Sequence, residues 1–222
     1  MHVVRGKQLV VAPADVLAAL AAHRGRVLVD VGAGDARAPY RHARAHPERL
    51  VVGFDPAWQR MSETAGRAAR KPAKGGAPNL VLVRGTVEDS PHELHGVADE
   101  VWVLMPWGKL LAGVVRGDDD VYAGLSTLAA PGAVLDIRIG TSIWRDPIPL
   151  EIRDLPEMTV SYANEVLASH LAEHGWTLTG VEIVDGDATA ANSSWSRRLG
   201  SGAVERIIRL TARKAPHIGP GS

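Results

Sequence analysis

Apolar residues come along this chain in short blocks separated by polar, alanine-rich stretches. Val27-Leu28-Val29-Asp30-Val31, Leu50-Val51-Val52-Gly53-Phe54 and Leu80-Val81-Leu82-Val83 are valine-rich runs, the pattern of strands buried on both faces of a parallel sheet. Glu100 to Met105 and Ala133 to Ile139 read as two more strands. The intervening segments predict helices from Pro13 and Asp15 to about His23, from Ala36 to Ala45, from Trp58 to Arg70 and from Asp118 to Ala129. Strand and helix therefore alternate, which predicts an α/β fold with a parallel, doubly wound sheet.

The two ends depart from that rhythm. Val3-Val4 and Gln8 to Ala12 flank Arg5-Gly6-Lys7, a pattern for an N-terminal β-hairpin over residues 1–12. Residues 140–160 hold Pro147, Pro149 and Pro156 and read as an irregular insert. A helix from Ser161 to His174 follows, then strands at Trp176 to Val184 and Val204 to Thr211. The polar loop at 186–200 joins these two, so they predict an antiparallel hairpin on the sheet edge. A single domain over 1–214 is expected, with 215–222, rich in proline and glycine, as a disordered tail.

Composition narrows the chemistry. The 222 residues suffice for one full core, and 25 basic side chains balance 25 acidic ones, so any nucleic-acid surface must be local. The absence of cysteine excludes thiolate catalysis and cysteine zinc sites, and the nine histidines form no metal-binding pair, so no metal is expected. No apolar run approaches the ~20 residues of a membrane span and no signal-peptide core opens the chain. A cytoplasmic protein without membrane association is the expectation.

The first strand ends in Gly32-Ala33-Gly34 and leads into a helix. Such a turn lets a ligand approach the backbone, and the helix start offers free N–H groups. A dinucleotide fingerprint requires a third glycine where Arg37 stands, although Asp55 lies about 20 residues on, where a ribose-binding acid is expected. Asp30 places a carboxylate two residues before Gly32, which suits a cation better than a pyrophosphate. S-adenosylmethionine carries an ammonium and a sulfonium, and Asp-x-Gly-x-Gly resembles the motif of Rossmann-like methyltransferases. A structural glycine turn in another α/β protein is the competing reading. Asp30, Asp55-Pro56, Thr86-Val87-Glu88 and Leu104 to Trp107 all fall at predicted carboxyl ends of strands, where ligands of open α/β sheets bind. Asp55 is expected to accept from ribose hydroxyls and the Thr86–Glu88 segment to face the adenine.

Met105-Pro106-Trp107-Gly108 occupies the place of the Asn/Asp-Pro-Pro-Tyr/Phe motif of many amino-methyltransferases. Met105 supplies no side-chain hydrogen bond, which argues against methylation of an exocyclic adenine amine. Trp107 is left as an aromatic plate, and Trp195, in the polar loop Asn192 to Arg198, is a candidate second plate for a flipped base. Trp102 and Trp176 read as core. Arg60, Arg67, Arg70, Lys71 and Lys74 concentrate charge along one helix and its loop, and Arg197, Arg198 and Arg206 form a second cluster, joined by Arg209 unless strand alternation turns it to another face. Each could be a solvated face. Beside a base pocket they read as an RNA surface.

Leu104 to Gly108, Lys71-Pro72-Ala73-Lys74-Gly75-Gly76 through Leu80, and Ser194-Trp195-x-Arg197-Arg198-Leu199 resemble the aminoglycoside-resistance 16S rRNA methyltransferases that modify N1 of adenine 1408. The resemblance runs from the N-terminal hairpin to about residue 211. It implies a class I S-adenosylmethionine-dependent fold, a mostly parallel seven-stranded sheet with an antiparallel C-terminal hairpin. It also implies a monomer acting on the 30S subunit at the decoding region of 16S rRNA. The group includes self-protection enzymes of kanamycin-type and capreomycin-type producers. Trp107 and Trp195 would then sandwich the adenine, with Ser193 near the cofactor and Ser194 near the base. Ser193 stands where the family has threonine. Two other readings stay open: a tRNA guanine-N7 methyltransferase, and a non-catalytic RNA-binding protein that responds to S-adenosylmethionine.

Overall fold

A computed structural model of the chain describes residues 1–23, 25–145, 147–186 and 206–216. Its strands are β1 (His2–Arg5), β2 (Gln8–Val11), β3 (Val27–Val31), β4 (Leu50–Phe54), β5 (Leu80–Val83), β6 (Ala98–Leu104), β7 (Ala129–Gly140), β8 (Trp176–Asp185) and β9 (Arg206–Lys214). They form one nine-stranded sheet in the order β2-β1-β5-β4-β3-β6-β7-β9-β8. The five strands β5, β4, β3, β6 and β7 run parallel, and β9 is antiparallel to both β7 and β8. The C-terminal hairpin thus lies at the sheet edge, as its sequence predicts. The N-terminal hairpin is not separate from the seven-stranded sheet: β1 pairs with β5 through Val3 and Val83, which lengthens the sheet to nine strands.

The helices are α1 (Ala14–Ala22), α2 (Arg37–Ala45), α3 (Ser62–Ala68), α4 (Gly108–Arg116), α5 (Asp119–Leu128), α6 (Val160–Tyr162) and α7 (Ala168–Glu173). Every residue of β3 and β4 is buried, because helices cover both faces there. Val27, Val29 and Val31 face the larger core with Leu111, Val114, Leu125 and Leu171, from α4, α5 and α7. Leu28 and Val51 face the opposite side, against Ala43 of α2 and Trp102 of β6.

Three local readings change. The helix expected over Trp58 to Arg70 is a 3-10 turn (Trp58–Met61) followed by the shorter α3, which ends at Ala68. The helix expected from Ser161 is interrupted by a π-helical stretch, Ala163–Leu167. α4 has no counterpart in the sequence reading, because Gly108 with its positive φ reads as a turn and conceals the helix it opens. The insert does remain irregular, with 3-10 turns at Thr141–Trp144 and Leu150–Ile152. Trp102 and Trp176 are core, as expected, and Trp144 packs partly buried against it.

Candidate active site

At the carboxyl end of β3 the backbone doubles back under tight constraint. Gly32 and Gly34 adopt φ of 74° and 60°, and Ala36, the residue before α2, is left-handed as well at 57°. A left-handed alanine is strained. The turn is over-determined by its bonds: the N–H groups of Gly32 and Ala33 both donate to the Phe54 carbonyl, at 2.8 and 3.1 Å. Gly34 N donates to Asp55 Oδ2 at 2.9 Å, and Ala57 N donates to Asp55 Oδ1 at 2.7 Å. Asp55 therefore fixes the glycine turn and its own turn at once. A carboxylate has further lone pairs, so an additional donor can still be accommodated.

These segments wall a cavity of about 590 Å³, within the range of small-molecule sites, roughly 300–1,000 Å³. Asp30, Gly32, Gly34, Asp55, Pro56, Thr86, Val87, Glu88, Leu104 and Trp107 all line it. Val87 is buried, whereas Thr86 and Glu88 expose their side chains at the rim. At the cavity wall, Asp30 is only 2% exposed and its Oδ1 has no hydrogen-bond partner among the described residues. Burial, and secondarily the Asp55 carboxylate, push its pKa up to about 8. Leaving a buried carboxylate without a donor is costly, and a cationic ligand would remove the penalty. A partly apolar wall, the Asp55 carboxylate at the end of β4 and a buried Asp30 carboxylate with an unpaired oxygen fit a nucleoside cofactor with a positively charged end.

Trp107 lines the cavity, half-buried, in extended conformation immediately before α4. Met105, also in the lining, holds a left-handed φ of 49°, with its N–H bonded to the Arg138 carbonyl at 2.7 Å. Ala36 and Met105, the two non-glycine residues with positive φ among those described, thus both lie at this site. Sequence reasoning missed four cations on the wall: Arg37, Arg41, Arg60 in its cavity role, and Lys109. The spacing of Arg37 and Arg41, one helical turn apart, puts two of them on one helical face, but which way that face turns is not in the spacing.

The expected basic surface divides. Arg70, Lys71 and Lys74 are exposed beside α3, and Arg60 is exposed at the cavity rim. Arg67 forms an ion pair with Glu63 one turn earlier, which neutralises part of its charge. The loop carrying Lys71 and Lys74 is held in place: Tyr40 donates its hydroxyl to the Gly75 carbonyl, and the Asn79 amide donates to the carbonyls of Ala43, His46 and Arg49. Arg206 is exposed at the start of β9. Arg209 leaves the second cluster, because its guanidinium bonds the buried Asp136 at 2.9 Å. Ser193, Ser194, Trp195, Arg197 and Arg198 lie outside the described residues, as do most of the 186–200 loop and 217–222. Among the described residues no group of three or more metal-ligating side chains converges, and no helix is long and apolar enough to cross a membrane.

Comparison with known proteins adds to this geometry. Residues 2–214 match the family described as NpmA: 16S rRNA (adenine(1408)-N(1))-methyltransferase. A 16S rRNA (adenine(1408)-N(1))-methyltransferase of Streptoalloteichus hindustanus is 40% identical over 192 residues, 86% of this chain and 88% of the relative. The crystal structure of a point mutant of the 16S rRNA (adenine(1408)-N(1))-methyltransferase from Catenulisporales acidiphilia, with cosubstrate SAM, superposes with a TM-score of 0.92. Identity to it is 57%, and all of both chains is covered. The 16S rRNA methyltransferase KamB superposes at a TM-score of 0.85 with 37% identity, over 97% of this chain and 100% of that one.

Proposed function

Because the chain belongs to the NpmA family of 16S rRNA (adenine(1408)-N(1))-methyltransferases, we propose that it methylates N1 of adenine 1408 in the 30S subunit and so confers aminoglycoside resistance. S-adenosylmethionine supplies the methyl group as a sulfonium substituent. The observation that carries this reading is the cavity itself, lined by Trp107 and by the buried Asp30 carboxylate, whose Oδ1 has no partner among the described residues.

Within that reading Asp30 receives the cofactor's ammonium, the Gly32–Gly34 turn admits its body, Asp55 accepts from the ribose, and Val87 and Glu88 border the adenine. Adenine N1 attacks with its own lone pair, and the methyl–sulfur bond breaks as the N–methyl bond forms. No proton has to leave N1, so no general base is required. The protein's task is alignment, with N1 about 3 Å from the methyl carbon and in line with the departing sulfur. Trp107 stacks on the flipped base, and Trp195 is assigned to the opposite face with Ser193 and Ser194 beside it. Aromatic faces also favour the positive charge that develops on the ring, by ~0.5–2 kcal/mol. Flipping costs a few kcal/mol, offset by stacking worth ~1–3 kcal/mol per base.

Docking is assigned to Arg60, Arg70, Lys71 and Lys74, with Arg67 contributing once released from Glu63, and to Arg197, Arg198 and Arg206. Recognition of folded RNA through its backbone makes affinity strongly salt-dependent. We assign a metal-free monomer acting in the cytoplasm, where 30S subunits are found. Primer extension on 30S subunits treated with protein and cofactor tests the reading: a stop at adenine 1408 is expected, abolished by Trp107→Ala with the cofactor still bound. Methyl transfer confined to tRNA, or to no RNA, would overturn it.

A further inference from the structure

We propose that Arg41 of α2 is the counter-ion of the α-carboxylate of S-adenosylmethionine. This rests on the cofactor assignment above and extends it to a residue that no motif points to. The amino-acid end of the cofactor carries an ammonium and a carboxylate on one carbon. Asp30 suits the first. The second must then enter a cavity whose wall already holds Asp30, Asp35, Asp55 and Glu88, and like charges repel it unless a cation stands opposite.

Four cations line the cavity, and their surroundings separate them. Arg37 is engaged by Asp35 at 3.5 Å and Glu63 at 3.9 Å. Arg60 and Lys109 are exposed at the rim, where solvent screens their charge. Arg41 is half-buried and has no ion pair or side-chain hydrogen bond within the described residues. Ala38 lines the same cavity one turn before Arg41 on the same helical face. Side chains on a helix lean toward its N-terminus, which is the end of α2 that meets the glycine turn. That lean favours an Arg41 stem directed past Ala38 toward the glycine turn, where the cofactor assignment puts the amino-acid end. A guanidinium can grip a carboxylate with two parallel hydrogen bonds, so a partly desolvated pair there orients as well as binds.

Decarboxylated S-adenosylmethionine, which keeps the sulfonium and the amine and lacks only the carboxylate, isolates this contact. Calorimetry is expected to show that Arg41→Gln weakens S-adenosylmethionine by about tenfold or more. The decarboxylated compound should bind wild type and variant within about twofold of one another. Circular dichroism and thermal melting establish that the variant is folded. Equal weakening of both ligands, no weakening of either, or the same selective loss in Lys109→Gln with Arg41→Gln silent would each overturn the assignment. Failure of wild type to bind S-adenosylmethionine at all would overturn the cofactor reading itself, and is distinguishable because no variant is needed to see it.

Discussion

Two aspartates occupy one row of the sheet and have opposite fates. Asp30 on β3 is in register with Trp102 on β6, and Trp102 is in register with Asp136 on β7. The carboxylates therefore share a face, two strands or about 10 Å apart, and each is 2% exposed. Asp136 is gripped by Arg138 from its own strand and by Arg209 from β9, each with a contact at 2.9 Å. Burial works to raise its pKa, but the two guanidiniums outweigh it and hold the group below the usual carboxylate range. Among the described residues Asp30 meets no cation, and its deeper burial takes it the other way, to about 8. Equal surface exposure therefore separates a carboxylate that ties two strands together from one whose Oδ1 has no partner among the described residues. The difference lies in the counter-ions and the depth of burial.

Removing each charge should have opposite consequences. Asp30→Asn is expected to weaken S-adenosylmethionine by at least about 100-fold in calorimetry, the cost of deleting one partner of a desolvated pair. The same change should leave the cofactor-free fold as stable as wild type or more so at pH 8, because an unpaired buried charge has gone. Asp136→Asn is expected to lower stability by roughly 2–4 kcal/mol in urea unfolding, a value reduced for the partial solvent exposure of its two arginines. It should leave cofactor affinity within about twofold. A destabilised Asp30→Asn, or an Asp136→Asn that loses the cofactor selectively, would erase the distinction.

How much of this the sequence discloses follows the same division. Asp30, Gly32, Gly34 and Asp55 are legible because a valine run, a glycine turn and an acid at the next strand end are local features with fixed spacing. The parallel order of the central strands follows from alternation of the same local signals. Arg209 was legible only as far as strand alternation, which sets it on another face from Arg206. Its pairing with Asp136 depends on the register of two strands 73 residues apart, and an arginine near Arg197 and Arg198 reads equally well as an RNA contact. Arg41 and Lys109 escaped for a related reason: a helix places a cation on a cavity wall only through its rotation against the sheet. The break at Trp58–Met61 and the π-helical stretch are adjustments of long helical patterns to packing, which periodicity does not encode.

The pH profile sharpens the contrast at a smaller scale. A folded-state pKa raised from 3.8 to about 8 means that Asp30 contributes most below pH 4. That contribution disappears as pH climbs to 8. Cofactor-free stability should therefore decline across that window, and Asp30→Asn should flatten the decline. Asp136 has a lowered pKa, so its contribution is present above the ordinary carboxylate range and is lost as pH falls below about 4. Cofactor binding selects ionised Asp30, so affinity should increase with pH up to about 8 and proton release should appear in buffers of different ionisation enthalpy. A flat affinity profile between pH 6 and 9 would count against an unpaired, ligand-reserved Asp30.

The smallest expected effect lies at the outer end of the arginine ladder. Glu182 on β8 meets Arg209 at 3.3 Å, but its side chain is 55% exposed, and such pairs are worth little, ~0–1 kcal/mol. Glu182→Gln should change unfolding free energy by less than about 0.5 kcal/mol and leave 30S binding untouched. Arg209→Gln should lie between this variant and Asp136→Asn in stability, because Arg138 still holds one side of the buried carboxylate. Filter binding to 30S subunits then decides whether Arg209 belongs to the sheet alone. If Arg209→Gln weakens 30S binding no more than it weakens a folded control such as Asp136→Asn, its guanidinium stays committed to Asp136. A larger loss than that control would mean that Arg209 leaves Asp136 to meet phosphate. Asp136 would then resemble Asp30 in the bound state, a buried carboxylate whose cation is shared with a ligand.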